Sequence, residues 1–128
     1  MSDVVARLQA ALGDAVRLEE TDRAAAARDY WARSELEAWV GAGWSEGGTL
    51  AGTARLPRAV VAPTETAALA EAVRICRAHG VPMVPRGAGS GVCGGVLAGE
   101  EAVVLSTDAM AGLRAFEAHD LLATVGAG

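Results

Sequence analysis

The chain contains no lysine and no asparagine. All eleven of its basic residues are arginine, against sixteen acidic residues, for a formal net charge of -5 over 128 residues. With no concentrated basic tract to neutralise a run of phosphodiesters, the composition argues against nucleic acid as a partner. Cysteine is scarce, at Cys76 and Cys93, and so is histidine, at His79 and His119. These pairs give neither a disulfide framework nor metal-ligand spacing, so no metal is expected. Cys76 reads as a small buried apolar residue and Cys93 as a small loop residue. Long apolar runs are missing too. No stretch reaches the roughly 18 apolar residues of a membrane span, and "MSDVVARLQAALGD" interrupts its apolar residues with charge where a secretory segment would not. The expectation is a cytoplasmic protein without a membrane span.

What the chain does have is apolar residues, 52% of the total, and sixteen glycines. That length and composition suit one domain with a modest core, and neither an internal repeat nor a low-complexity linker divides it. In "SDVVARLQAALGD", Val4, Val5, Leu8, Ala11 and Leu12 recur at helical spacing, with Ser2 placed to cap the start and Gly13 the stop. The stretch "RAAAARDYWARSELEAWV" is rich in helix formers and predicts a second helix carrying Tyr30, Trp31 and Trp39. The glycines of "GAGWSEGGTLAGTARLP" then break the periodicity into a loop.

From Leu56 the pattern changes. "RAVVAP" is a β-branched run ended by Pro63. "TETAALAEAVRICRAHG" follows as a helix, with Leu69, Ala72, Val73 and Cys76 on one face and Ile75 flanking it. Thr64 is placed to cap its start and Gly80 its end. "VPMV" is the next strand, making a βαβ unit with two parallel strands and a right-handed crossover. Beyond it, "AVVLS" and "LLATVGAG" read as strands separated by "TDAMAGLRAFEAHD". A strand ending on Gly126, Ala127 and Gly128 would leave an open edge, so the chain reads as the beginning of something longer.

Directly after "VPMV" comes "GAGSGVCGG", with glycine at 87, 89, 91, 94 and 95. A P-loop needs a lysine, and the chain has none. Gly89, Gly91 and Gly94 satisfy G-x-G-x-x-G, but that fingerprint must open a helix, and Gly94, Gly95 and Gly99 deny the next turns helical stability. Two readings stay open, a structural turn or a nest of main-chain N–H groups around an anion. A diphosphate suits such a nest, Ser90 could add a hydroxyl donor and Arg86 a positive charge. The loop hangs from the carboxyl end of a parallel strand, where open α/β sheets place ligands.

From Leu56 to Gly128 the chain resembles the start of the FAD-binding domain of the vanillyl-alcohol oxidase (PCMH-type) flavoproteins. That family includes FAD-linked glycolate and D-lactate dehydrogenases and alkylglycerone-phosphate synthases. The resemblance is carried by "LPRAVVAPTETAALAEAVRICRAHGVPMVPRGAGSGVCGG", "AVVLSTDAMAGL" and "ATVGAG". It implies an α/β (α+β) fold, the truncated first half of such a domain over 56–128 with a helical lead-in segment over 1–55. It also implies that Pro85, Arg86, Gly87, Ala88, Gly89, Ser90 and Gly91 surround the FAD pyrophosphate. Covalent relatives often carry a histidine near the Ser90 position; its absence here implies noncovalent FAD. The implied activity is oxidation of a 2-hydroxy acid such as glycolate or lactate, a small-molecule substrate, with catalytic groups lying after Gly128 and this chain alone inactive. The alternatives are an alkylglycerone-phosphate synthase-like flavoenzyme or a catalytically silent nucleotide-binding module. His119 and Asp120 read as a solvated polar turn rather than an acid–base pair.

Overall fold

The computed structural model describes residues 3–30 and 56–128. The N-terminal part holds helix α1 (Asp3–Leu12), a 3-10 turn (Gly13–Ala15), strand β1 (Val16–Arg17) and helix α2 (Glu20–Ala26). After residue 56 come β2 (Ala59–Val61), α3 (Thr66–Ala78), β3 (Met83–Arg86) and β4 (Val103–Ser106). A 3-10 turn (Asp108–Met110), β5 (Leu113–Glu117) and β6 (Leu122–Val125) follow.

Two sheets form. The larger has the order β1-β2-β4-β3, with β2, β4 and β3 parallel and β1 antiparallel on the outside of β2; β5 and β6 form a separate antiparallel hairpin. The expected βαβ unit is present with its strands parallel, but β2 and β3 do not touch. Val104 of β4 pairs with Val60 on one side and Val84 on the other, so the α3 crossover spans one strand position.

The period-2 alternation of strands sorts the side chains onto two faces. Ala59, Val61, Val103 and Leu105 face α1 and α3, packing with Val4, Val5, Leu8, Val16, Ala72, Ile75 and Cys76. Val60 and Val104 face the other way, packing with Ala26, Ala98 and Ala102. Covered on both faces, β4 reads as the continuous apolar run typical of a central parallel strand. The N-terminal segment shares this core, α1 lying beside α3 and β1 completing the sheet.

Helix α3 ends in a Schellman motif: the amide of Gly80 donates to the Arg77 carbonyl (3.1 Å) and that of Val81 to the Cys76 carbonyl (2.9 Å). Gly80, at φ +63, takes the left-handed position such an ending requires. The start of α3 differs from expectation. Its N-cap is Glu65, without a side-chain cap hydrogen bond, and Thr64 lies one residue outside. Val73 is exposed, because one residue past Ala72 is about 100° of helical rotation and carries it off the buried face. Helix α2 stops at Ala26, so the helix expected from Arg23 onward does not run through Tyr30. Trp31 and Trp39, like Ser2, lie outside the described residues. Residues 107–120, expected only as a connection, contain strand β5, paired with β6 across an irregularity between Leu113 and Ala115.

Candidate cofactor-binding site

The glycine loop leaves β3 at the carboxyl end of the parallel strands and returns through residues 87–102 to β4 without forming a helix. The dinucleotide fingerprint is thereby excluded on structure as well as on sequence. Three other segments meet the loop there. Thr107, just past β4, donates its amide to the Arg86 carbonyl (2.9 Å) and its hydroxyl to the Ala127 carbonyl (2.6 Å). The end of the chain thus runs beside the start of the loop, and a Cβ on Gly87 would sit 3.4 Å from the Ala127 carbonyl oxygen. Residues 29 and 30, after α2, approach from the far side. Asp29 Oδ2 accepts the amide of Gly94 (3.1 Å), and the Tyr30 amide donates to the Gly91 carbonyl (2.9 Å).

Within the loop the glycines differ in their reasons. Gly89 has φ +73, a left-handed conformation that β-branched residues avoid, and its Cα faces the Arg86 guanidinium closely enough that a Cβ would overlap it. Gly91 has no positive φ; there the constraint is Asp29, whose Oδ2 would lie 3.2 Å from a Cβ. At Gly91 a neighbour's side chain, and not the backbone angle, disfavours a larger residue. Gly94 is the loop's second positive-φ residue, also at φ 73.

Among the described residues, no backbone hydrogen bond outside the helices and strands has the amide of Gly87, Ala88, Gly89 or Ser90 as its donor. Arg86 folds back to donate from Nη1 to the Gly87 carbonyl (3.3 Å), and its buried Nε has no hydrogen-bond partner among the described residues. Buried donors are normally paired, so an unpaired guanidinium nitrogen beside that run of amides fits a negatively charged group. Ser90 is exposed at the loop tip, as is Cys93, and Pro85 is an exposed member of β3. His119 and Asp120 touch each other (3.2 Å) in the exposed β5–β6 turn, away from the loop. Among the described residues no cluster of ligating side chains could hold a metal, and no helix is long and apolar enough to cross a membrane.

The contributions of Asp29, Tyr30 and Thr107 were not legible in the sequence. Asp29 lies 65 positions from Gly94 and carries no motif, so only the folded chain brings the two together.

The "Glycolate oxidase subunit GlcD" of Bacillus subtilis (strain 168) is 39% identical over 70 residues, covering 55% of this chain and 15% of that protein. Among solved structures, an alkyldihydroxyacetonephosphate synthase superposes with a TM-score of 0.71 at 17% identity, covering 98% of this chain and 23% of that one. A p-cresol methylhydroxylase with substrate bound superposes with a TM-score of 0.61 at 19% identity, covering 89% and 19%. At these identities the structural likeness establishes the fold, and the chain spans under a quarter of each of these relatives. The model of the FAD binding domain family matches residues 57–128, more than half of the chain, and the chain belongs to that family, with FAD as its cofactor.

Proposed function

We propose that this chain is the part of a flavin-dependent oxidoreductase that holds the FAD diphosphate, with Pro85, Arg86, Gly87, Ala88, Gly89, Ser90 and Gly91 as the cradle. The observation that carries the proposal is the run of amides from Gly87 to Ser90 that, among the described residues, donate to no main-chain acceptor, beside the unpaired Nε of Arg86. Four amides and a guanidinium offer the donors that two linked phosphates accept, and the positive φ of Gly89 turns the main chain to present them. FAD, when bound, supplies the electron chemistry, while the protein binds and orients it. The cofactor is held noncovalently, since no histidine stands at the Ser90 position. Residues 1–55 act as a lead-in segment and 56–128 as the first half of the FAD-binding domain. The substrate is a small 2-hydroxy acid such as glycolate, a reading supported by the 39% identity to a glycolate oxidase subunit. The reaction takes place in the cytoplasm.

The test is titration of the intact protein with FAD and with ADP, followed by acid precipitation. FAD is expected to bind more tightly than ADP and to be released fully into the acid supernatant. Gly89→Val is expected to abolish binding, through the forbidden backbone angle and the blocked approach of phosphate. Arg86→Ala should weaken it by about 1 kcal/mol, the scale of a partly exposed ionic contact. Unchanged FAD affinity in Gly89→Val would sink the cradle assignment, and equal affinity for ADP would leave a general nucleotide-binding module.

A further inference from the structure

Two consecutive residues outside the segment matched by the family model hold the far half of the glycine loop. Asp29 Oδ2 receives the Gly94 amide at 3.1 Å and the Tyr30 amide reaches the Gly91 carbonyl at 2.9 Å. Both ends of the Gly91–Gly94 segment are therefore tied to one short stretch after α2. The tie is close-fitting, because Asp29 Oδ2 would lie 3.2 Å from a Cβ on Gly91, tighter than an ordinary van der Waals contact.

A loop this rich in glycine has many conformations to lose, and a ligand that must order it loses affinity accordingly. Restraints that order the loop beforehand remove that cost. The negative charge of Asp29 does not itself attract a diphosphate. Its Oδ2 accepts the Gly94 amide, a capacity that a neutral carboxamide oxygen also has.

We infer that Asp29 is a positioning residue that fixes the glycine loop in its anion-accepting shape before the cofactor binds, acting through the oxygen that accepts the Gly94 amide. The inference rests on the reading of residues 85–91 as the FAD cradle. It makes the N-terminal segment part of the cofactor site, although that segment lies outside the family's matched region.

The experiment compares FAD dissociation constants of the intact wild-type protein, Asp29→Ala, Asp29→Asn and Gly89→Val by flavin fluorescence. It also follows hydrogen exchange at the Gly94 amide in cofactor-free wild type. Asp29→Ala is expected to weaken FAD binding roughly tenfold or more, the scale of a main-chain amide left without its acceptor. Asp29→Asn is expected to retain affinity or tighten it, and the Gly94 amide to be protected from exchange. Wild-type affinity in Asp29→Ala, or an equal loss in Asp29→Asn and Asp29→Ala, overturns the inference. An unprotected Gly94 amide does so as well, and that measurement decides the matter even if Asp29→Ala fails to fold. Unchanged affinity in Gly89→Val overturns the cradle itself, whereas loss in Gly89→Val with none in Asp29→Ala overturns only the role of Asp29.

Discussion

Cys76 and Cys93 are chemically identical and structurally opposite. Cys76 is fully buried on the inner face of α3 and its thiol is pushed above the usual thiol range by desolvation, whereas Cys93 is exposed on the glycine loop. The thiolate is the reactive form, so a thiol-specific reagent at mildly alkaline pH is expected to modify Cys93 alone in the folded protein and both cysteines in denaturant, as counted by mass spectrometry. The raised value of Cys76 also has a sign. A thiol that holds its proton more tightly when folded contributes stability that is fully present below the ordinary thiol range, and that is lost as pH rises through the raised value. Thermal unfolding should accordingly fall with increasing pH on the alkaline side, and replacing Cys76 with alanine should reduce that slope. The burial of Cys76 was readable from its helical spacing. The exposure of Val73 was not, because residues on the flank of an apolar stripe satisfy the same periodicity as those at its centre.

At the level of elements, what could be read in advance was whatever depended on local chemistry. Strands β2, β4 and β6 fall within the expected apolar runs, β3 takes up only the last two residues of its run and extends through Pro85 and Arg86, and α3 ends at Gly80 as its sequence predicts. Strand β5 escaped because "LRAFE" carries helix-forming residues, is exposed throughout and has an irregular register with β6, so neither composition nor alternation marks it. Two glycines contrast sharply in what they require. Gly80 has φ +63 with nothing within 4 Å of a Cβ, so Gly80→Ala should destabilise by only the left-handed penalty, about 1 kcal/mol. A Cβ on Gly126 would overlap the Met110 carbonyl oxygen and lie 3.0 Å from the carbonyl carbon of Ala111, all main-chain atoms that cannot rotate away. Gly126→Ala should therefore cost more than Gly80→Ala, and urea unfolding of the two variants side by side checks the order. The glycine of "ATVGAG" thus reflects close backbone approach, a reason that the sequence does not display.

For the molecule as a whole, the helical lead-in and the segment from residue 56 onward share one core. Leu8 of α1 has no exposed surface and packs in the same cluster as Val61, Cys76 and Val103. Leu8→Ala is expected to destabilise the protein by about 2–5 kcal/mol, the range for truncating a buried leucine. Equilibrium denaturation should then show a single transition moved to lower denaturant, because the cavity opens in a core common to both segments. The amphipathic character of α1 was evident from spacing, but its partner was not, since nothing local specifies which sheet face a helix covers.

The strand order carries a consequence for how the protein comes into being. Strand β4 occupies the middle of the parallel strands although it is made after both of its neighbours. Until residues 103–106 leave the ribosome, β2 and β3 have no shared hydrogen bonds, and the apolar faces of Val60 and Val84 have no strand between them. The chain therefore completes its sheet by insertion rather than by addition at an edge, a non-local step that folds late and slowly. The glycine loop is part of the connection that must carry β4 into that gap. Its conformational freedom while the chain is still folding, before Asp29 and Tyr30 tie it down, is what lets the last central strand find its place.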